Sequence, residues 1–313
     1  MNLRRLLLLF AVSPTLLAMA ADEAPKPAEP GTLVVVDASG KEQKLKAWKF
    51  IEGVRRLGWL AKPAAPDKEK KDAPKDKREA PADKGPEALV LRTETTIKYA
   101  EGVLTLIPLS QLHSLDFDNE MDTATARAAA GADNIETLTG TTKYKRINKL
   151  TIEAEVDKGD LGVAEIKYLG GYPRGICGVR FPAPKSVPPA PEGRRVLVVS
   201  DDGEKKTTHK VVDLMPLYRL PDGGEKLLPT LMFKKTLKVD VGKIKKVAAM
   251  SENVWQVTLK DGGDETLTLL ETIPHEGKQA RLLGLVGRVP VGYKLFPAAG
   301  IAEITFDADA EEK

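Results

Sequence analysis

Apolar and polar residues alternate along most of this chain in short runs separated by turn residues, a pattern that predicts β-strands joined by tight turns. Residues 32–37 (TLVVVD) end in Ala38-Ser39-Gly40, and residues 195–200 (RVLVVS) end in Asp201-Asp202-Gly203. Residues 254–259 and 265–270 flank Lys260-Asp261-Gly262-Gly263-Asp264 and predict a hairpin. Helical spacing is scarce. Its best instance is residues 47–60, where Trp48, Ile51 and Val54 recur every third position. The Ala- and Thr-rich residues 122–133 read as a short helix or a loop.

One stretch changes period twice. Residues 104–118 read LTLIPLSQLHSLDFD. Leu104 and Leu106 alternate as on a half-buried strand. Pro108 lacks an N–H and suits a strand end. Leu109, Leu112 and Leu115 then follow a three-residue spacing, which stacks them on one side of a 3-10 turn. Leu115 and Phe117 resume the alternation. The prediction is strand, one helical turn, strand. Residues 293–307 (YKLFPAAGIAEITFD) repeat it at an offset of 189. There Pro297, Ile301, Ile304, Phe306 and Asp307 fall on Pro108, Leu112, Leu115, Phe117 and Asp118. Val241, Ile244 and Val247 give a third copy, and Tyr144, Ile147 and Leu150 a fourth. Repetition at this scale predicts stacked supersecondary units. Small barrels of the SH3-like or Sm-like type turn their corners this way, a likeness of architecture that carries no function. The expected fold is all-β: two repeat-related halves of small, strongly bent sheets or SH3/Sm-like barrels, with strand–3-10 turn–strand corners.

Compartment and organisation come from other stretches. Arg4 and Arg5, the apolar residues 6–17 and the Ala18-Met19-Ala20 cleavage pattern predict a secretory signal peptide over residues 1–20. The chain is therefore expected to be exported, to the periplasm or beyond the cell. No later stretch approaches the roughly 18 apolar residues of a membrane-spanning helix, so no transmembrane segment is expected in the mature chain. A first β domain is expected over residues 31–181. Its residues 62–86, rich in Lys, Ala and Pro, lack the apolar surface that offsets ordering and read as a disordered insertion. Residues 182–194 form a Pro-rich linker. A second β domain spans residues 195–307, and an acidic tail follows over residues 308–313.

Charge and candidate chemistry add little. Loss of Arg4 and Arg5 takes the formal charge from +3 to +1, so no global field draws the chain to nucleic acid. The single cysteine, Cys177, excludes an internal disulfide and reads as a small buried residue. His113 lies inside the first corner, but its counterparts are Ala302, Lys245 and Asn148, which places it on a solvent face. His209 and His275 stand alone, and no metal-ligand spacing is present. Asp116, Asp118, Glu120 and Asp122 lack the glycine and glutamate of a calcium loop and read as a charged loop. Residues 262–265 (GGDE) resemble the signature loop of diguanylate cyclases in four letters, but Thr266 replaces its fifth residue, Phe; a hairpin turn accounts for them. No cofactor is expected.

The remaining candidate is a basic run. Lys234, Lys235, Lys238, Lys243, Lys245 and Lys246 could bind a polyanion, or could form a solvated face opposite Leu237, Val239, Val241 and Ile244. The sequence favours an exported, non-catalytic β-repeat protein, an interaction or structural module whose partner is an envelope protein or a polysaccharide. The alternatives are a secreted hydrolase with distant carboxylates and histidines brought together, and a polyanion-binding module using the lysines.

Overall fold

The computed structural model describes residues 31–45, 47–61, 85–92, 102–118, 123–130, 134–141, 151–157, 162–169, 175–183, 189–201, 203, 205–251 and 253–308. Their alternating runs all form strands. Up to the Pro-rich spacer these are β1 (Leu33–Asp37), β2 (Glu42–Leu45), β3 (Ala47–Glu52), β4 (Val54–Arg56), β5 (Glu87–Arg92), β6 (Leu104–Pro108), β7 (Leu112–Asp118), β8 (Thr123–Ala129), β9 (Ile135–Thr141), β10 (Thr151–Asp157), β11 (Val163–Leu169) and β12 (Ile176–Arg180). After it come β13 (Arg195–Asp201), β14 (Lys206–Arg219), β15 (Glu225–Leu227), β16 (Thr230–Phe233), β17 (Leu237–Asp240), β18 (Ile244–Ser251), β19 (Val254–Leu259), β20 (Asp264–Thr268), β21 (Thr272–His275), β22 (Lys278–Arg288), β23 (Tyr293–Phe296) and β24 (Ile301–Phe306). The described residues contain no α-helix, only single 3-10 turns. The protein is all-β.

Three of the four corners are present as expected. One-turn 3-10 helices at Leu109–Gln111, Val241–Lys243 and Ala298–Gly300 join β6 to β7, β17 to β18 and β23 to β24. The stacked apolar residues are buried: Leu112 and Leu115, Ile244 and Val247, Ile301 and Ile304. The fourth corner, around Tyr144 and Ile147, lies outside the described residues.

Two local readings are corrected. Residues 47–60 are strands β3 and β4 followed by a 3-10 turn, not a helix. Phe50 is buried and Trp48 half-buried, at the strand period of two, whereas Ile51 is exposed. The Ala- and Thr-rich residues 122–133, read as a short helix or a loop, carry strand β8, whose buried Ala124, Ala126 and Ala128 alternate in the same way.

The strands form several antiparallel sheets: a large one of nineteen strands, a three-stranded one of β11, β10 and β3, and the β16–β17 pair. They do not close into the SH3/Sm-like barrels that the corners predicted. The reason is visible at β6. It runs between β5 and β23, so its outer edge is taken by a strand from beyond the spacer and does not close on its own half. Bending is strong all the same. Strand β14 breaks register near Asp213, which sits at φ 52°, and β22 turns at Gly284, at φ 149°.

The β6–β23 pairing joins the two halves, and its register is informative. Leu104 faces Leu295, Thr105 faces Lys294 and Leu106 faces Tyr293. At the offset of 189, Thr105 and Lys294 are the same motif position. The junction thus has a local two-fold, with each position opposite its mirror image. Val103 packs in the core of the second half, and Val291 in the core of the first. Leu57, Val90, Leu104 and Leu106 meet Leu217, Val286 and Leu295 in a third cluster at the junction itself. Each leucine buried there contributes about 1.5–3 kcal/mol. At the rim, Trp59 packs edge-on against Tyr293, and Arg55 donates to Glu225 Oε1 at 2.5 Å.

The end of the spacer is tied down by Arg194. Its guanidinium donates to both oxygens of Asp307, at 2.8 and 3.0 Å, and to the carbonyls of Val241 and Ile244. It also lies 4.3 Å over the Phe306 ring. One side chain therefore links the spacer, the 241–244 corner and the end of β24.

Candidate functional site

The first three lysines of the basic run, Lys234, Lys235 and Lys238, lie in a hairpin of the second half, and Lys243, Lys245 and Lys246 in the corner and strand that follow. Strands β16 and β17 pair antiparallel, from Thr230 opposite Asp240 to Phe233 opposite Leu237. The inner strand is anchored. Met232 O accepts from Leu270 N at 2.8 Å, and the Tyr218 hydroxyl donates to Thr230 O at 2.9 Å. Tyr218 is fully buried, and burial pushes its pKa up, so it keeps that proton. Phe233 packs edge-on against Trp255 of β19. Strand β17 has no second partner strand among the described residues.

The turn between the two strands, Lys234–Thr236, is strained. Lys235 lies at φ 62° and Thr236 at φ 59°. A β-branched residue in the left-handed region is uncommon, and each such residue costs about 1–2 kcal/mol. Thr236 Oγ1 donates to Lys235 O at 2.6 Å, which offsets part of that cost.

Strand β17 covers only part of the β19–β20 face beneath it. On that face Val257 is buried, but Leu259 and Leu267 are half-buried and Glu265 is exposed. A groove of about 420 Å³ lies between β17 and this face, with Val239 and Val257 in its lining. It is continued by an opening of about 600 Å³ lined by residues 234–238 and 265–267. Leu237, expected to point inward, is exposed on the lip of the groove.

Charge around the groove is uneven. Lys234, Lys235 and Lys238 line its outer part, and Lys238 and Lys243 its inner part. None of these four lysines has an ion-pair partner among the described residues. The aspartates are engaged locally. Asp240 Oδ1 accepts from Gly242 N at 2.7 Å, and Asp261 Oδ1 from Gly263 N at 3.4 Å. The other two candidate lysines lie elsewhere: Lys246 pairs with Glu303 at 3.2 Å, and Lys245 is exposed beside it on β18. The structure thus brings four of the six lysines to one apolar groove. Sequence reasoning saw the lysines but missed the groove, which needs the long-range layering of β17 over β19–β20.

The histidines do not assemble a reactive centre. His209 is buried. Its Nε2 lies 3.0 Å from Ser200 Oγ and its Nδ1 lies 2.8 Å from Lys294 Nζ. An ammonium group only donates, so Nδ1 accepts and Nε2 carries the proton toward Ser200. The ring's one acceptor nitrogen is already engaged, and His209 is not poised as a base for Ser200. Ser200 is also buried, 1% exposed. His275 is half-buried at a hairpin end, 3.5 Å from Glu276.

His113 corrects an expectation. It is buried, 9% exposed, not on a solvent face. Strand β7 lies between β8 and β12, whereas the counterparts Ala302 and Lys245 are more open. Burial, then the charges of Arg127 and Arg180, hold the His113 pKa below its ordinary value. Cys177 is half-buried, and its Sγ donates to Asp37 O at 2.9 Å. From the acidic run, Asp116 pairs with Arg127 at 2.5 Å; Glu120 and Asp122 lie outside the described residues. Among the described residues no group of three or more His, Cys, Asp or Glu is placed to hold a metal ion. No described helix is long and apolar enough to cross a membrane.

Fold and site together define an all-β protein with an open-edged, lysine-rimmed groove. Comparison with models of known families, with curated proteins and with solved structures returns no match.

Proposed function

We propose that this chain is an exported, non-catalytic interaction module that engages an extracytoplasmic partner through the β17 groove. The carrying observation is the half-covered β19–β20 face beside the open edge of β17. An open strand edge next to uncovered apolar side chains is a ready site for a partner. The signal-like residues 1–20 support export. The local two-fold at β6–β23 supports the reading of the two halves as related repeats, with the groove belonging to the half that diverged to use it. The contacts of both His209 ring nitrogens, with Ser200 and with Lys294, weigh against a hydrolase built on that residue.

The test is site-specific photocrosslinking in cells producing the full chain. A photoreactive residue replaces Leu237 in the groove or, as a control, the exposed Val163 on β11. The expected result is a discrete adduct from position 237 alone, on a chain whose N-terminus begins after Ala20. No adduct from position 237, or equal adducts from both positions, would overturn the reading.

A further inference from the structure

We infer that the groove takes an extended acidic peptide, added as a third strand to the open edge of β17. This rests on the interaction-module reading and names the chemistry of its partner. Three observations converge. First, β17 is paired with β16 alone among the described residues, so its outer N–H and C=O groups face the groove unpaired by a strand. Strand addition satisfies such groups and gives affinity independent of sequence. Second, the layer over β19–β20 is short by about one strand. Leu237, Leu259 and Leu267 remain partly uncovered, and side chains of alternate residues on an added strand would cover them.

Third, the charge selects the occupant. Lys234, Lys235, Lys238 and Lys243 line the groove without ion-pair partners among the described residues; Asp240, Asp261 and Glu265 balance the inner part, and the positive excess lies at the outer part, where Lys234, Lys235 and Lys238 face Glu265 alone. Asp240 and Asp261 are turned to their own turns. A basic strand would meet these lysines with like charge, and a neutral strand would leave them unused. An acidic strand would neutralise them, with apolar residues at alternate positions facing the β19–β20 surface. The strained Lys235–Thr236 turn holds two of the cations at the mouth of the site.

The experiment titrates the purified full chain with a labelled peptide of about ten residues that alternates glutamate with valine, the length of a long strand. Binding is expected, with a salt-dependent affinity. Lys238→Glu should weaken it about tenfold or more, because it reverses an exposed charge on the edge the peptide would pair with. Lys41→Glu, on the distant β1–β2 turn, should leave it unchanged. Methylation of alternate backbone amides of the peptide should abolish binding while leaving its charge intact. Equal binding of the methylated peptide, or of heparin, would show charge attraction without strand pairing and overturn the proposal. Equal binding of a peptide alternating lysine with valine would overturn the charge selection. A concentration-dependent dimer that excludes the peptide would give the edge to a second copy and overturn it too. If no peptide binds while the adduct at position 237 persists, this inference falls and the module reading stands. If both are missing, both fall.

Discussion

Strands β6 and β17 each run into a one-turn 3-10 corner, yet among the described residues one edge is sealed and the other is open. Strand β6 has buried residues from Leu104 to Ile107, because β5 and β23 flank it and apolar side chains cover both faces. Strand β17 buries Val239 only; Leu237, Lys238 and Asp240 stay exposed. The corner does not decide the fate of its strand. What decides it is whether a second strand of matching register and apolar content reaches the edge. At β6 that strand is β23, which itself runs into a 3-10 corner. At β17 no second strand reaches the edge among the described residues, and exposed lysines stand along it, a common protection of open edges.

The comparison breaks most easily at the sealed edge. Leu106→Ala should cost about 2–5 kcal/mol, since the site lies in a junction clamped from both halves and cannot collapse freely. Urea unfolding reads the loss; a change below about 1 kcal/mol would show that the junction contributes little. Gly292→Ala should cost about 2–4 kcal/mol. Gly292 lies at φ 70°, and an added Cβ would sit 2.1 Å from the Leu106 carbonyl oxygen, so β23 must shift away from β6. Thermal unfolding gives this as a lower Tm.

The spacer clamp comes next. Arg194→Ala removes four hydrogen bonds at once and should cost about 1–3 kcal/mol. It also changes the acid response. Hydrogen bonds from Arg194, followed by burial acting the other way and by Lys260, hold the Asp307 carboxyl below its ordinary range. The stability from that carboxylate is complete above the unfolded value near pH 4 and is lost as pH falls through the depressed folded value. Without Arg194 the larger part of that loss disappears and Lys260 retains the rest, so stability plotted against pH should show a shallower acid limb. An unchanged limb would remove Asp307 from the clamp. The smallest effect belongs to the open edge. Thr236→Gly relieves a left-handed β-branched residue and should raise stability by about 1 kcal/mol. A loss of stability would show that the Thr236 side chain holds the turn.

Much of this was legible in local sequence. The double change of period at residues 104–118 and 293–307 placed two corners, because stacking at a three-residue spacing is a property of neighbouring side chains. The Asp261-Gly262 turn placed the β19–β20 hairpin for the same reason. Residues 47–60 misled because three apolar positions fell at helical spacing by coincidence. Pairing of β3 with β10, over a hundred residues away, overrode it. The burial of His113 was hidden because internal copies report a motif's own needs, not what neighbouring strands place against one of them. The groove was illegible for a related reason. Six lysines spread over residues 234–246 give no sign of which four will share a wall, or that Leu259 and Leu267 will lie half-covered opposite them.

At the β6–β23 junction Thr105 lies opposite Lys294 in an antiparallel register. The contacts that hold β23 on β6 are available between molecules as well as within one, because every chain carries both strands. If thermal motion lifts β23 away, the exposed β6 can accept β23 from a neighbouring chain with the same register and the same apolar contacts. The seal that makes one body of two halves is therefore also a socket for domain exchange. Crowded unfolding intermediates of this protein are expected to interlock as swapped pairs before they aggregate at random.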